Sequence, residues 1–219
     1  PSPNSPKDIS QYHLSHVMNL YIDEISDLEV SFSNSKHANK HKRPDTIDSR
    51  FEDALNGNGG LDGNLTWNIF DISNRNPELI KYISGFEKSK RVGELSVLDA
   101  VLHTNIWNMD SAFGLQLSKD KISIKYDASS TASFDENGFL KESADLLFLG
   151  GGKSISASRD KKAVFSEFNK KFNNNLDIRF ASRYEKIGSS SSFDPKISLR
   201  YTPHKSLIIR ASSGTSFVA

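Results

Sequence analysis

The chain has 219 residues, 25% of them charged, a formal net charge of +1 and no cysteine. So even a balance excludes a global electrostatic drive toward nucleic acid or an anionic membrane, and the missing thiols exclude disulfides and thiolate metal sites. No run of about 18 apolar residues occurs, so no transmembrane helix is available.

The chain opens on PSPNSPKD, without an initiating methionine or the charged start and apolar core of a signal peptide. It closes on ASSGTSFVA inside a strand-like pattern. Both ends are expected to lie within a longer protein. "LSHVMNLYI" (Leu14 to Ile22) and "LEVSFSN" (Leu28 to Asn34) predict a strand pair around DEISD. From residue 35 to 95 the chain is basic, then Gly/Asn-rich, with no strand pattern. Such a span predicts a long functional loop, containing a short helix near 76–83 that has Pro77 in its first turn and Ser73 or Asn74 as cap.

"SVLDAVLHTNIW" (Ser96 to Trp107) places Leu98, Ala100, Leu102 and Ile106 on one strand face, with Asp99, His103 and Asn105 on the other. "FGLQLSKDKISIKY" (Phe113 to Tyr126) also alternates, but its apolar parity flips between Leu117 and Ile122. That flip predicts a bulge, a turn, or a strand leaving an apolar layer. "DLLFLGGGKS" suggests a phosphate-binding loop, yet Leu147 stands where the motif's first glycine belongs and no helix pattern follows. It predicts a loop.

Alternation is clearest near the end. In "LDIRFASRYE", Leu176, Ile178, Phe180 and Tyr184 oppose Asp177, Arg179, Ala181, Arg183 and Glu185. Ile197, Leu199 and Tyr201 then oppose Lys196, Ser198 and Arg200, and Leu207, Ile209 and Ala211 oppose Ile208, Arg210 and Ser212. Their connections predict a rhythm of short "KKFNNN", longer "KIGSSSSFD" and short "TPHKS", with asparagine supplying left-handed backbone. Apolar faces with tyrosines near strand ends, opposite faces of arginine and carboxylate, and strands of about ten residues describe a transmembrane barrel. A soluble β-sandwich adhesin or glycan binder remains an alternative, and it requires Leu176, Ile178, Phe180 and Ile197 to pack against a second sheet.

The residues Arg159, Val164, Phe165, Glu167, Leu176, Arg183, Tyr184, Pro195, Lys196, Leu199, Arg200, Pro203, Leu207, Arg210, Ala211, Ser212, Gly214, Ser216 and Phe217 form a pattern that resembles the mid-barrel region of TonB-dependent outer-membrane receptors. "RFEDALNGNGG", "WNIFDISNRNPELIKYI" and "LFLGGG" resemble the long-loop branch of that family more loosely. The usual turn proline is missing from "FNKKFNN", and Val218 stands where arginine is common.

The resemblance implies an all-β, antiparallel up-and-down transmembrane barrel of 22 strands around an N-terminal plug, of which residues 1–219 supply a partial set of strands with long extracellular loops and no plug. It also implies active uptake of a scarce nutrient (siderophore, vitamin, glycan or peptide), with TonB, the plug and outer-membrane lipid as partners. A porin or autotransporter-type barrel without a plug is the remaining membrane alternative. Arg179, Arg183, Glu185, Arg200 and Arg210 are the expected lumen-lining residues. No catalytic, cofactor or nucleic-acid site is expected. His13 and His16 fall on opposite strand faces, and His37 and His41 lie in the basic span, so neither pair predicts a metal centre.

Overall fold

The computed structural model describes residues 4–71, 76–173 and 175–216. In chain order the elements are β1 (Lys7–Tyr21), β2 (Asp27–Thr46), α1 (Asp48–Leu55), α2 (Pro77–Ile83), β3 (Ser84–Ile106), β4 (Met109–Tyr126), β5 (Ser133–Phe134), β6 (Leu140–Glu142), β7 (Ile155–Phe172), β8 (Leu176–Ile187), β9 (Ser190–His204) and β10 (Leu207–Gly214). Eight strands form one sheet in the order β1-β2-β3-β4-β7-β8-β9-β10, and β5 pairs only with β6. Sequential neighbours with antiparallel pairing are the up-and-down topology that the alternating patterns predict.

Tight turns close one end of the hairpins. Trp107 and Asn108 both take left-handed angles (φ 53° and 60°), as a two-residue type I′ hairpin turn demands. That conformation disfavours a tryptophan. The Lys170 ammonium donates to the carbonyls of Trp107 (3.1 Å) and Asn108 (2.7 Å), holding the turn. Asn173 (φ 52°) supplies the left-handed residue expected in the β7–β8 turn.

Several expectations change. The span 35–95 is not free of strands: β2 runs on to Thr46 and β3 begins at Ser84, leaving 47–83 between them. Those extensions alternate polar residues on both faces, so they lack the apolar period from which strands are read. The expected longer connection "KIGSSSSFD" is a two-residue turn at Gly188 and Ser189, with Ile187 opposite Ser190; Gly188 supplies the positive φ (58°). Asp145 to Leu149 is irregular backbone, not a strand run. The helix near 76–83 is present as α2 with Pro77 first, but its cap is Asn76, whose side chain accepts from the N–H groups of Glu78 and Leu79. Ser73 and Asn74 lie outside the described residues, as do Phe217 and Val218. β4 is one uninterrupted strand. Its parity change is therefore not a turn: Leu115 and Leu117 occupy one row, that row continues as Lys119 and Lys121, and Ile122 belongs to the other.

The chain divides into two compact units: Pro1–Gln11, His37–Gly93 and Ile122–Ala157, and Tyr12–Lys36, Glu94–Lys121 and Ser158–Ala219. In the first, Ala54, Leu79 and Ile83 are buried beneath Phe51, Leu65, Trp67 and Tyr82, and Ile47 packs with Ala144 and Leu146. Two carboxylates tie its glycine-rich loop down. Asp45, only 1% exposed, accepts from the N–H groups of Thr46 (2.6 Å), Phe148 (3.2 Å) and Leu149 (2.7 Å). Asp145 accepts from the Ser49 N–H (2.7 Å) and hydroxyl (2.8 Å). The opening pattern of that loop is thus a structural clasp. Buried Glu87 pairs with Arg43, and Lys88 with Asp127 at 3.4 Å.

Candidate functional site

The second unit carries a charged sheet face whose composition follows from strand alternation and register. Asp177 lies opposite Arg200, Arg179 opposite Ser198, Arg183 opposite Asp194 and Glu185 opposite Ser192. Arg200 lies in turn opposite Arg210. Partners across a ladder share a face, so Arg179, Arg183, Glu185, Arg200 and Arg210 stand together on one side of β8, β9 and β10. The face was legible in the sequence.

Its internal bonding was less so. The Arg183 guanidinium pairs with Glu185 and donates to Gln116 Oε1 at 2.8 Å. The Gln116 amide donates to Asp99 at 2.7 Å. This chain runs from β8 through β4 to β3, and Gln116 is the residue that sequence reasoning missed. A polar residue inside "FGLQLSKD" was the available signal. Asp120 forms a second node, paired with Arg159 (3.2 Å) and Lys161 (3.1 Å), and Arg179 pairs with Glu167 at 3.2 Å.

Arg200 and Arg210 have no carboxylate partner within ion-pair distance among the described residues. With Asp177, Arg179, Ser198 and Ser212 they line a concavity of about 510 Å³. With Arg179 paired to Glu167, the two remaining guanidiniums against the Asp177 carboxylate leave it cationic, and the rigid donor fork of arginine suits carboxylate or phosphate groups. A second concavity of about 730 Å³ is lined by His103, Asp110, Phe165, Glu167, Asn169 and Arg179, among others.

On the same face Phe165 lies over Gly114, where a Cβ would fall 1.9 Å from the ring. Glycine there is a matter of room. Gly114→Val is expected to destabilise the sheet by about 1–3 kcal/mol through overpacking, read as a lowered urea midpoint. Adding Phe165→Leu should recover part of the loss; no recovery would mean that the ring is not the obstacle.

Among the described residues of this face, His103 and Ser111 each bond elsewhere than to one another. Ser111 donates its hydroxyl to the Met109 carbonyl (3.1 Å), and His103 pairs with Asp27 (3.1 Å). Among the described residues no group of three or more His, Asp or Glu stands close enough to hold a metal. His13 bonds the Ser35 hydroxyl (2.7 Å) and His41 that of Ser5 (3.0 Å). Burial, with the cations of Lys7, Arg43 and Arg91 adding to it, holds the His41 imidazole below its ordinary pKa. His41 lies fifteen residues into β2, past the roughly ten that cross a bilayer.

The opposite face is apolar and open. Phe180 is 41% and Ile197 52% exposed, where a sandwich requires such residues beneath a second sheet. Leu14, Phe32, Leu98, Leu115, Leu117, Val164 and Tyr201 are exposed as well. The model of TonB-dependent receptor-like β-barrels matches residues 11–219. The chain belongs to that family. Among solved structures, a variant of the ferric enterobactin receptor PfeA from Pseudomonas aeruginosa, with a single glycine-to-valine substitution, is similar at 13% identity and a TM-score of 0.59, covering 94% of this chain and 25% of that one. A second, doubly substituted PfeA variant gives 13% identity and a TM-score of 0.52, covering 95% and 25%. At such identity the likeness concerns the fold alone. No curated protein sequence matches.

The chain spans about a quarter of the length of these solved receptors. Membership of a receptor and transport family agrees with the barrel reading of the alternation, and the eight-stranded antiparallel sheet is a partial barrel of that family.

Proposed function

We propose that these strands form part of an outer-membrane barrel that takes up a scarce nutrient, driven by TonB acting on a plug domain inside the lumen. The two-faced sheet is the observation that carries this reading: apolar residues exposed on one side, and a bonded lattice of arginines and carboxylates on the other. Apolar residues facing lipid and polar residues facing a lumen are what a bilayer-spanning barrel requires. Arg179, Arg183, Glu185, Arg200 and Arg210 line that lumen, and the cationic concavity at Arg200 and Arg210 meets acidic groups of the plug or of the solute. The segment 47–83, with its two helices, lies on the extracellular side. The substrate class is a siderophore, vitamin, glycan or peptide.

The test is uptake of labelled candidate nutrients by cells that carry the receptor, with and without TonB and with the proton-motive force collapsed. Active transport predicts accumulation that is lost in both depleted states. Accumulation equal in all three would replace the active receptor with a passive, porin-type barrel.

A further inference from the structure

On the proposed lipid-facing side of the second unit the apolar rows of four strands end in lysine. On β2, Phe32 is followed on the same face by Lys36; on β4, Leu115 and Leu117 are followed by Lys119 and Lys121; on β7, Val164 adjoins Lys162; on β8, Phe180 and Tyr184 are followed by Lys186. Side-chain bonds fix the faces independently of counting. Gln116 and Asp120 bond Asp99, Arg183, Arg159 and Lys161 on the charged face, so Leu117, Lys119 and Lys121 point the other way.

This row is electrostatically unbalanced. Lys162 stands directly opposite Lys186, and Lys186 opposite Ser191. Like charges facing each other across a ladder are unfavourable, and among the described residues no carboxylate forms an ion pair with either one. Asp160 is taken by Lys119 at 3.3 Å, which leaves Glu94 as the remaining acid on the row among the described residues. The other end of the same face is different. Phe172, Leu176 and Tyr201 are ladder neighbours there, and Lys170 is spent on the carbonyls of the Trp107–Asn108 turn. Below the lysines, Phe32, Leu98 and Leu117 floor a groove of about 220 Å³ rimmed by Lys119, Asp160 and Lys162.

We propose that this groove and the Lys162–Lys186 pair bind a lipid of the surrounding leaflet whose phosphate headgroup carries a net negative charge, with an acyl chain along Phe32, Leu98 and Leu117 and the headgroup phosphate between the two ammonium groups. The proposal rests on the membrane-barrel reading. A phosphate not neutralised by a cation within its own headgroup supplies the negative charge the facing lysines lack, and the apolar floor continues the band that acyl chains cover.

The test uses the whole receptor reconstituted into phosphatidylcholine vesicles with and without phosphatidylglycerol, followed by native mass spectrometry of retained lipid. Wild type should retain phosphatidylglycerol in preference to phosphatidylcholine. Lys162→Gln with Lys186→Gln should weaken that retention on the order of tenfold, while Lys205→Gln, in the β9–β10 turn, leaves it unchanged. Equal retention of both lipids by wild type, undiminished retention by the double variant, or the same loss from Lys205→Gln would each overturn the lipid site. Heat-modifiable gel mobility reports insertion separately: a receptor that inserts into neither vesicle refutes the membrane reading itself, and this site with it.

Discussion

Phe180→Arg is expected to hinder insertion of the barrel into a bilayer while leaving the charged face intact. Phe180 lies opposite Phe168 and Ile197 in the ladder, in the middle of the apolar face. An arginine on the lipid face costs about 2–4 kcal/mol near the bilayer midplane and much less near an interface. Folding into vesicles, followed by heat-modifiable mobility across a urea series, should shift by that amount, whereas Lys186→Arg, beyond the band, shifts little. If the 219-residue protein instead proves soluble, monomeric and cooperatively folded without detergent, the apolar face is not a lipid face and the reading falls.

Asp45→Ala carries the second large effect, in the first unit. The carboxyl is almost fully buried and accepts three backbone N–H groups, two of them from Phe148 and Leu149, more than a hundred residues away in sequence. Its removal leaves those donors without a partner, at a cost of about 3 kcal/mol, the upper end for a hydrogen bond to a charged group. The loss should be local: the segment Ala144 to Gly152 comes free and becomes the first site of limited proteolysis, while the β7–β10 ladder holds. Asp45→Asn, which keeps one acceptor oxygen, should be cleaved at an intermediate rate. Cleavage of the alanine variant at the wild-type rate would mean that Ile47, Ala144 and Leu146 hold the loop without the clasp.

The strands β8, β9 and β10 were legible because period-two alternation is a local property: Leu176 through Glu185 announces its two faces without reference to any other strand. Most of the residues of the family pattern lie in the same stretch. Where both faces are polar, local pattern fails. β2 continues through "HANKHKRPDT" to Thr46 because β3 continues beside it, and ladder hydrogen bonds satisfy the backbone whatever the side chains. Likewise "KIGSSSSFD" looked like a loop, since serine marks turns; pairing of Ser190, Ser191 and Ser192 with Ile187, Lys186 and Glu185 makes most of it strand.

The sequence by itself determined the all-β class, the up-and-down order, the α2 helix with its leading proline, and the gathering of Arg179, Arg183, Glu185, Arg200 and Arg210 on one face. Only the tertiary structure decided that Gln116 joins Arg183 to Asp99, that Asp45 fastens the triple-glycine loop, that Gly114 makes room for Phe165, and that Lys162 faces Lys186. The division has a physical cause. Which way a side chain points is set by its own backbone and its neighbours two residues away, whereas what it meets there is set by register between strands tens of residues apart, which alternation constrains only modulo two.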